Sequence, residues 1–494
     1  TEPRRDLRAL PTVTIDAAHS RDLDDALAVL PAEPDGALRL FVSIADVDAF
    51  VPAGGALDAE ARRRGTSVYL AGRVLPMVPP SLSEEAASLN PGVDRPAVTV
   101  ELRIDVEGAV QSVDVYESLV RSAARLTYDD VATFLDGAQE DVIPEALRPT
   151  LRWLRTAGAR LSTARAARGG VEVLDDEAYV TLDAHTGEPL AIEARRTTSA
   201  HRLVERLMVA ANEAVAGWLL ARGLPGIFRV HPPPTADRVA LLAEAARACG
   251  VEPGFGAALT PRSFAAFEAQ ARSVAAAPAL AMVTQGTLGP ALYTEAPGVH
   301  FGLGAPCYLH FTSPIRRYAD LAVHRVVKGF LAGRRSFAEE QSIFGSLAGQ
   351  LKARILVWDK AERERLRSLA ARHFASRVGD ELPGRVVGVK PFGLVVQLQG
   401  TGITGTVAAE HLPRGVAADT WLGQPVRVRV AGASEELARI DLVPLDLAPR
   451  SAAHEATPRS AAHDADPRPA PDPRPAPGRT GATKGAPRGA GKRP

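Results

Sequence analysis

The chain has 494 residues, more than one ordinary domain and enough for two to four. Hydrophobic residues make up 46 %, which permits a large core, while 58 basic and 58 acidic residues cancel and leave no global charge to advertise a polyanionic partner. Two distant cysteines, Cys249 and Cys307, argue against a disulfide framework. No apolar run reaches membrane-spanning length, and the charged opening lacks a signal-peptide core, so the reading is a cytoplasmic protein with no membrane partner.

In chain order, Val13-Thr14-Ile15 is short, β-branched and strand-like, and Leu38 to Val47 alternates as a second strand. Val98 to Val106 and Ala178 to Leu182 are further strand candidates. Apolar spacing then turns helical over His201 to Leu220 and Ala236 to Ala248. Pro314 to Phe330 reads as a helix with proline in its first turn, and Lys352 to Phe374 as a long helix with a basic face. Early strands and late helices predict a mixed α/β (α+β) first domain, placed at residues 1–378. Short strands with close turns follow: Gly384 to Val387, Phe392 to Leu398, Gly405 to Val407 and Val426 to Val430. They predict a small all-β barrel at 379–447. Residues 448–494 are rich in Pro, Ala, Gly and Arg and repeat Pro-Arg-Ser-Ala-Ala-His at 449 and 458. That segment is expected to be a disordered basic tail.

The densest chemistry lies in Thr14-Ile15-Asp16 and Arg21-Asp22-Leu23-Asp24-Asp25-Ala26. Four carboxylates within ten residues repel one another, and burying them together is costly without cations. Hard oxygen ligands suit Mg²⁺ or Mn²⁺. If residues 22–25 are extended, Asp22 and Asp24 face one way and Asp25 the other, so the segment can serve two ions or join metal to substrate. Two cations about 4 Å apart can activate water and stabilise a leaving oxygen in phosphodiester cleavage. A solvated acidic turn is the plainer alternative, against which stand the flanking strand-like residues. An EF-hand lacks its glycine and terminal glutamate at the needed spacing.

The segment Thr14 to Ala26 resembles the metal-binding signature of the ribonuclease II/ribonuclease R family, the RNB catalytic domain. Further matches follow in the family's order over about residues 12 to 375: Ser43 to Val47, Arg64 to Leu70 with Arg73 to Met77, Ser88 to Pro91, and Ala124 to Asp129. The segments Leu203-Val204-Glu205 and Ala211-Asn212-Glu213 match as well, and His310-Phe311-Thr312-Ser313-Pro314-Ile315-Arg316-Arg317-Tyr318-Ala319-Asp320 is the most distinctive. The resemblance implies processive 3′→5′ hydrolysis of single-stranded RNA to nucleoside 5′-monophosphates. It implies that Asp16 and Asp25 ligate metal, that Asp22 organises metal and the terminal nucleotide, and that Asp24 is most critical for chemistry. Arg316 would contact the scissile phosphate, a role that suits a guanidinium clamp. Arg317, next on the expected helix, would point elsewhere.

Tyr69 would contact a base and Tyr128 the terminal nucleotide, since a flat ring stacks on any base. Glu205 and Asn212 share a helix, with substrate contact and structural hydrogen bonding both open. His231, His300 and His310 lack zinc spacing and are read as structural or phosphate-adjacent. The β-rich module resembles an S1-type OB fold, in which Lys390 and Phe392 would offer charge and a stacking face, with a buried core Phe392 as the alternative. The family usually carries two cold-shock-type domains ahead of the catalytic one. Here the metal motif begins almost at once, so the usual funnel for RNA is incomplete or an upstream replacement is missing. Competing functions are a noncatalytic RNA-binding protein on this scaffold and a DNA nuclease or other two-metal phosphodiesterase. All four aspartates and Arg316 favour the enzyme, and only 2′-hydroxyl contacts separate RNA from DNA.

Overall fold

Val13, Thr14 and Ile15 have one strand's worth of β-branched side chains and are all buried. Their strand, Val13–Asp16, lies in a seven-stranded sheet of the computed structural model, which describes residues 4–446 apart from 172–176, 196, 257 and 414–417. Across the sheet the strands run Arg5–Asp6, Val110–Arg121, Asp94–Ile104, Leu38–Ala45, Asp25–Leu30, Val13–Asp16 and Ala124–Thr127. Val13–Asp16 is parallel to Ala124–Thr127, with Asp16 opposite Thr127, and antiparallel to Asp25–Leu30. Seven of the eight residues of Leu38–Ala45 are buried, so both faces of the sheet's centre are covered. The helices Arg148–Ala167 and Ser199–Leu220 pack on the central strands and share their core.

The helix expected from Pro314 begins instead at Tyr318 and runs to Leu331. The preceding turn is held out of the helix by tertiary bonds. Arg316 carbonyl oxygen accepts from the amide of Ser67 (2.9 Å) and the hydroxyl of Thr66 (2.9 Å), while the Tyr318 amide donates to Gly65 (3.0 Å). Gly65 has φ +77°, a left-handed conformation that permits the approach. Arg316 and Arg317 therefore sit on a turn and not on a helical face, which corrects the expected geometry. The long helix also starts earlier, at Ala338, and ends at Ala375. Phe344, Leu347, Ala348 and Leu351 are its buried stripe, partly disguised in sequence by Gly345 and Gly349.

A closed barrel follows, built from Glu381–Lys390, Gly393–Leu398, Thr404–Ala408, Pro425–Ser434 and Arg439–Pro444. Alternation along Pro425–Ser434 sends Val426, Val428 and Val430 inward. Leu369, Ala370 and Phe374 at the end of the long helix complete the barrel's core. The hairpin of Glu177–Leu182 and Pro189–Arg195 joins it through the Ala194 amide bonded to Gly400 oxygen (2.9 Å). The basic tail expected at 448–494 lies outside the described residues.

Candidate active site

Pairing in the sheet decides where the acids stand. Asp16 closes one strand and Asp25 opens its antiparallel neighbour, and residues 17–24 connect them. That connection is pinned from below. Leu23 is buried as a plug, its amide donating to Ser88 Oγ (3.1 Å) and its carbonyl accepting from the Leu89 amide (3.0 Å). Ser88 Oγ in turn donates to the Arg21 carbonyl (2.7 Å). The Ser88–Pro91 motif thus shapes the aspartate loop. The chain is irregular from Arg21 to Asp24, so the strict alternation expected for an extended segment is absent. Asp16, Asp22, Asp24 and Asp25 all border one cavity of about 490 Å³.

Tyr69, Tyr128, Glu205, Asn212, Arg316 and Arg317 border the same cavity, so it gathers the four aspartates with the predicted arginine and both tyrosines, while Lys390 and Phe392 lie elsewhere. Asp24 is almost fully buried; its Oδ1 accepts from the Ile315 amide (2.8 Å) and its Oδ2 lies 3.5 Å from Arg316 Nε. Asp22 accepts from the Tyr69 hydroxyl (2.7 Å). The Tyr69 amide is anchored on Glu362 of the long helix (3.0 Å). Tyr128 starts a helix capped by Thr127, the register partner of Asp16, which places its ring beside the acids. Arg317 is bonded in two places to buried Asp320, which also accepts from the Ser313 amide (2.8 Å).

The electrostatics are those of a site short of positive charge. Burial, then repulsion from Asp25 and Asp22, pushes the Asp16 carboxyl up to about 8. Burial pushes Asp25 up to about 6 against the pull of Arg316 and Arg317. Burial also raises Asp24 well above the usual carboxylate range, although Arg316 and the Ile315 amide oppose it. The Tyr69 hydroxyl is raised by burial and by Asp22, which keeps its proton on the bond to Asp22.

Among the described residues no three acid, imidazole or thiol groups stand ready-gathered for a metal ion. The donor set nonetheless suits a hard divalent cation, because all four groups are carboxylates. One of their oxygens, Asp24 Oδ2, is buried without a hydrogen-bond partner among the described residues. Arg316 faces it at 3.5 Å as an ion pair without a hydrogen bond, which leaves the oxygen able to ligate a metal cation.

Asn212 donates to the Tyr308 hydroxyl (2.9 Å) and accepts from the Phe311 amide (2.8 Å) while bordering the cavity. Glu205 pairs with Arg165 at 3.4 Å while still bordering the cavity. His310 bonds the Tyr293 hydroxyl (2.6 Å), and His231 packs edge-on against His300. Phe392 is 60 % exposed beside Lys390 at a barrel turn, an open ring and not a core residue. Both cysteines are buried thiols outside any disulfide. His201, which the sequence did not single out, borders the cavity and stacks on Tyr128. Its signal was the Thr198-x-x-His201 spacing at the helix start. A larger hollow of about 750 Å³, between Arg148–Ala167 and Ser199–Leu220, has a largely apolar lining and no carboxylate cluster.

The model of the RNB domain matches residues 4–333. The chain belongs to the RNB family. Among RNB relatives, ribonuclease R of Aquifex aeolicus is 36 % identical over 456 residues, covering 89 % of this chain and 64 % of that protein. Ribonuclease R of Escherichia coli is 32 % identical over 486 residues, covering 92 % and 59 %. The chain thus spans about six tenths of these relatives' length. Mycoplasma genitalium RNase R, solved with ribose-methylated single-stranded RNA, superposes with a TM-score of 0.85 at 26 % identity, over 90 % of this chain and 72 % of that one. Yeast Ssd1, described as a pseudonuclease, shares the RNB fold at 18 % identity and a TM-score of 0.70, over 87 % and 52 %.

Proposed function

We propose that this chain is a 3′→5′ exoribonuclease that hydrolyses single-stranded RNA processively to nucleoside 5′-monophosphates by a two-metal-ion mechanism. The observation that carries the reading is Asp24: buried, one oxygen without a hydrogen bond, facing Arg316 and sharing one cavity with three further aspartates. Asp16, Asp22, Asp24 and Asp25 would hold the divalent cations, Mg²⁺ or Mn²⁺. Bound cations would supply charge neutralisation and Lewis acidity at the scissile phosphate.

The remaining work falls to the chain's own groups. Arg316, 44 % exposed at its side chain, is open enough to turn from Asp24 toward a phosphate and offset charge developing there. The Ile315 amide fixes the Asp24 carboxylate so that its second oxygen stays directed. Tyr69, 43 % exposed, offers a ring to a base while its hydroxyl holds Asp22. Tyr128 flanks the terminal nucleotide. Residues 1–378 would form the catalytic domain and 379–447 an S1-type RNA-binding barrel, with Phe392 as an open stacking ring. Buried reduced thiols suit a reducing compartment such as the cytoplasm.

A noncatalytic RNA-binding role is the second reading, favoured by the fold shared with a pseudonuclease. Digestion of 5′-labelled RNA with Mg²⁺, beside the same sequence as DNA and beside a chelated control, separates the two. A descending ladder on RNA alone, lost with chelator, is expected. Binding without shortening would establish the second reading.

A further inference from the structure

The helix Ser199–Leu220 is capped in an unusual way. Thr198 Oγ1 accepts from the His201 amide, and the His201 side chain returns the bond, so imidazole fills the place a glutamate or glutamine commonly takes in a capping box. The reciprocal contacts fix the ring. Nδ1 lies 3.4 Å from the Thr198 amide nitrogen and 2.7 Å from its hydroxyl. An amide N–H can only donate, so Nδ1 is the accepting nitrogen. In the neutral ring the proton then sits on Nε2. Burial lowers the pKa of His201, with Asp129 opposing the shift and Arg195 adding to it, which favours the neutral ring.

The ring is also fixed in plane. It stacks on Tyr128 with centroids 3.9 Å apart and an interplanar angle of 17°. One face of Tyr128 is therefore covered by protein. His201 borders the cavity with the four aspartates, and its Nε2 has no hydrogen-bond partner among the described residues. The wall of the cavity thus carries an imidazole held by a helix cap and a ring stack, with Nε2 unpaired among the described residues.

We infer that His201 is a specificity-determining residue whose Nε2–H donates a hydrogen bond to a ribose 2′-oxygen of the RNA drawn into the cavity. A phosphate is better matched by the cation of Arg316, which borders the same space. A neutral donor matches a neutral hydroxyl, the group by which a site distinguishes RNA from DNA. A site built to hydrogen-bond a hydroxyl rejects the analogue lacking it because its own donor is left unpaired. This inference rests on the exoribonuclease reading.

The test compares wild type with His201→Phe, which retains a flat ring for Tyr128 but has no N–H. Substrates are one RNA strand and three versions with a single 2′-deoxy sugar at the last, second-last or third-last position. Wild type is expected to prefer ribose at one of these positions by about tenfold in kcat/KM, and His201→Phe to reduce that preference to about twofold at that position alone. Each preference is a ratio within one preparation, so a smaller folded fraction cancels. For a variant that does not turn over, the same ratio is read from Kd by fluorescence anisotropy without divalent cation. An unchanged preference in His201→Phe, or a uniform loss across all four strands, overturns the inference and leaves His201 as a helix cap. Failure of wild type to shorten any strand would instead overturn the exoribonuclease reading.

Discussion

The backbone amide of Ile315 donates a 2.8 Å hydrogen bond to Asp24, a residue 291 positions earlier in the chain. That bond ties the turn carrying Arg316 to the loop carrying the acids. It satisfies one Asp24 oxygen and leaves the other, Oδ2, for a cation. Asp24→Asn retains the acceptor facing Ile315 but removes the negative charge. We expect it to lower single-turnover cleavage by about 10²-fold or more while RNA affinity changes little. Cleavage and binding are measured separately. Wild-type cleavage by the variant would refute the role of Asp24.

Arg316→Ala should show the other half of the same relationship. One contact among many along a long strand contributes little to affinity. At a reacting phosphate, losing a preorganised donor costs about 3 kcal/mol, roughly a hundredfold in rate. The expected result is a large fall in the maximal single-turnover rate with Kd nearly unchanged. A large loss of affinity at an unchanged maximal rate would place Arg316 in binding alone.

The aspartates, Arg316 and both tyrosines were legible in the sequence because each sits in a short, ordered motif. Their convergence was not, since it depends on bonds between residues far apart in the chain. Periodicity extended the helix back to Pro314 because apolar spacing carries no record of Thr66 and Ser67 binding the Arg316 carbonyl. Nor does that spacing record that Asp320 is buried and holds both Arg317 and the Ser313 amide. The barrel was clear from its alternation, but the helix end that fills it was not, because Leu369, Ala370 and Phe374 look like any helical stripe. His201 was missed because a capping histidine has no special composition. Only the ring of Tyr128 beside it gives it meaning.

Histidine burial sets an acid limit on stability. Burial, then the neighbouring His231 and Arg229, pushes His300 down to about 3 from an ordinary value of 6.5. The unfolded chain therefore binds more protons than the folded one between those values. Stability due to the neutral ring is full above about 6.5 and is lost as pH falls toward 3. His231 and His310 are lowered by burial too and act with the same sign. Asp16, Asp24 and Asp25, raised by burial, act with the opposite sign, so His300 is read from the difference in urea midpoint between wild type and His300→Gln from pH 7 to pH 4. His300→Gln should have a lower midpoint at pH 7, from poorer packing, and the difference should narrow as pH falls. Parallel slopes for the two proteins would show that His300 does not carry this linkage.

Removing the residues after 447 should leave cleavage of a short single strand nearly unchanged. The aspartates, Arg316, Tyr69 and Tyr128 all border a cavity built from residues far upstream. The removed segment carries only basic charge from Pro473 onward, including Lys484, Arg488, Lys492 and Arg493. Such a segment attracts phosphates without a fixed pose, and each phosphate it neutralises releases counterions. Its contribution should therefore appear on long or partly paired RNA and chiefly at low salt. On a hairpin with a 3′ overhang, log affinity against log salt should have a shallower slope for the truncated chain, by about 0.7 for each single-strand phosphate that the segment no longer neutralises. Equal slopes would make the segment a solubilising extension with no part in binding. Loss of cleavage on the short strand would mean instead that the folded unit extends past residue 447.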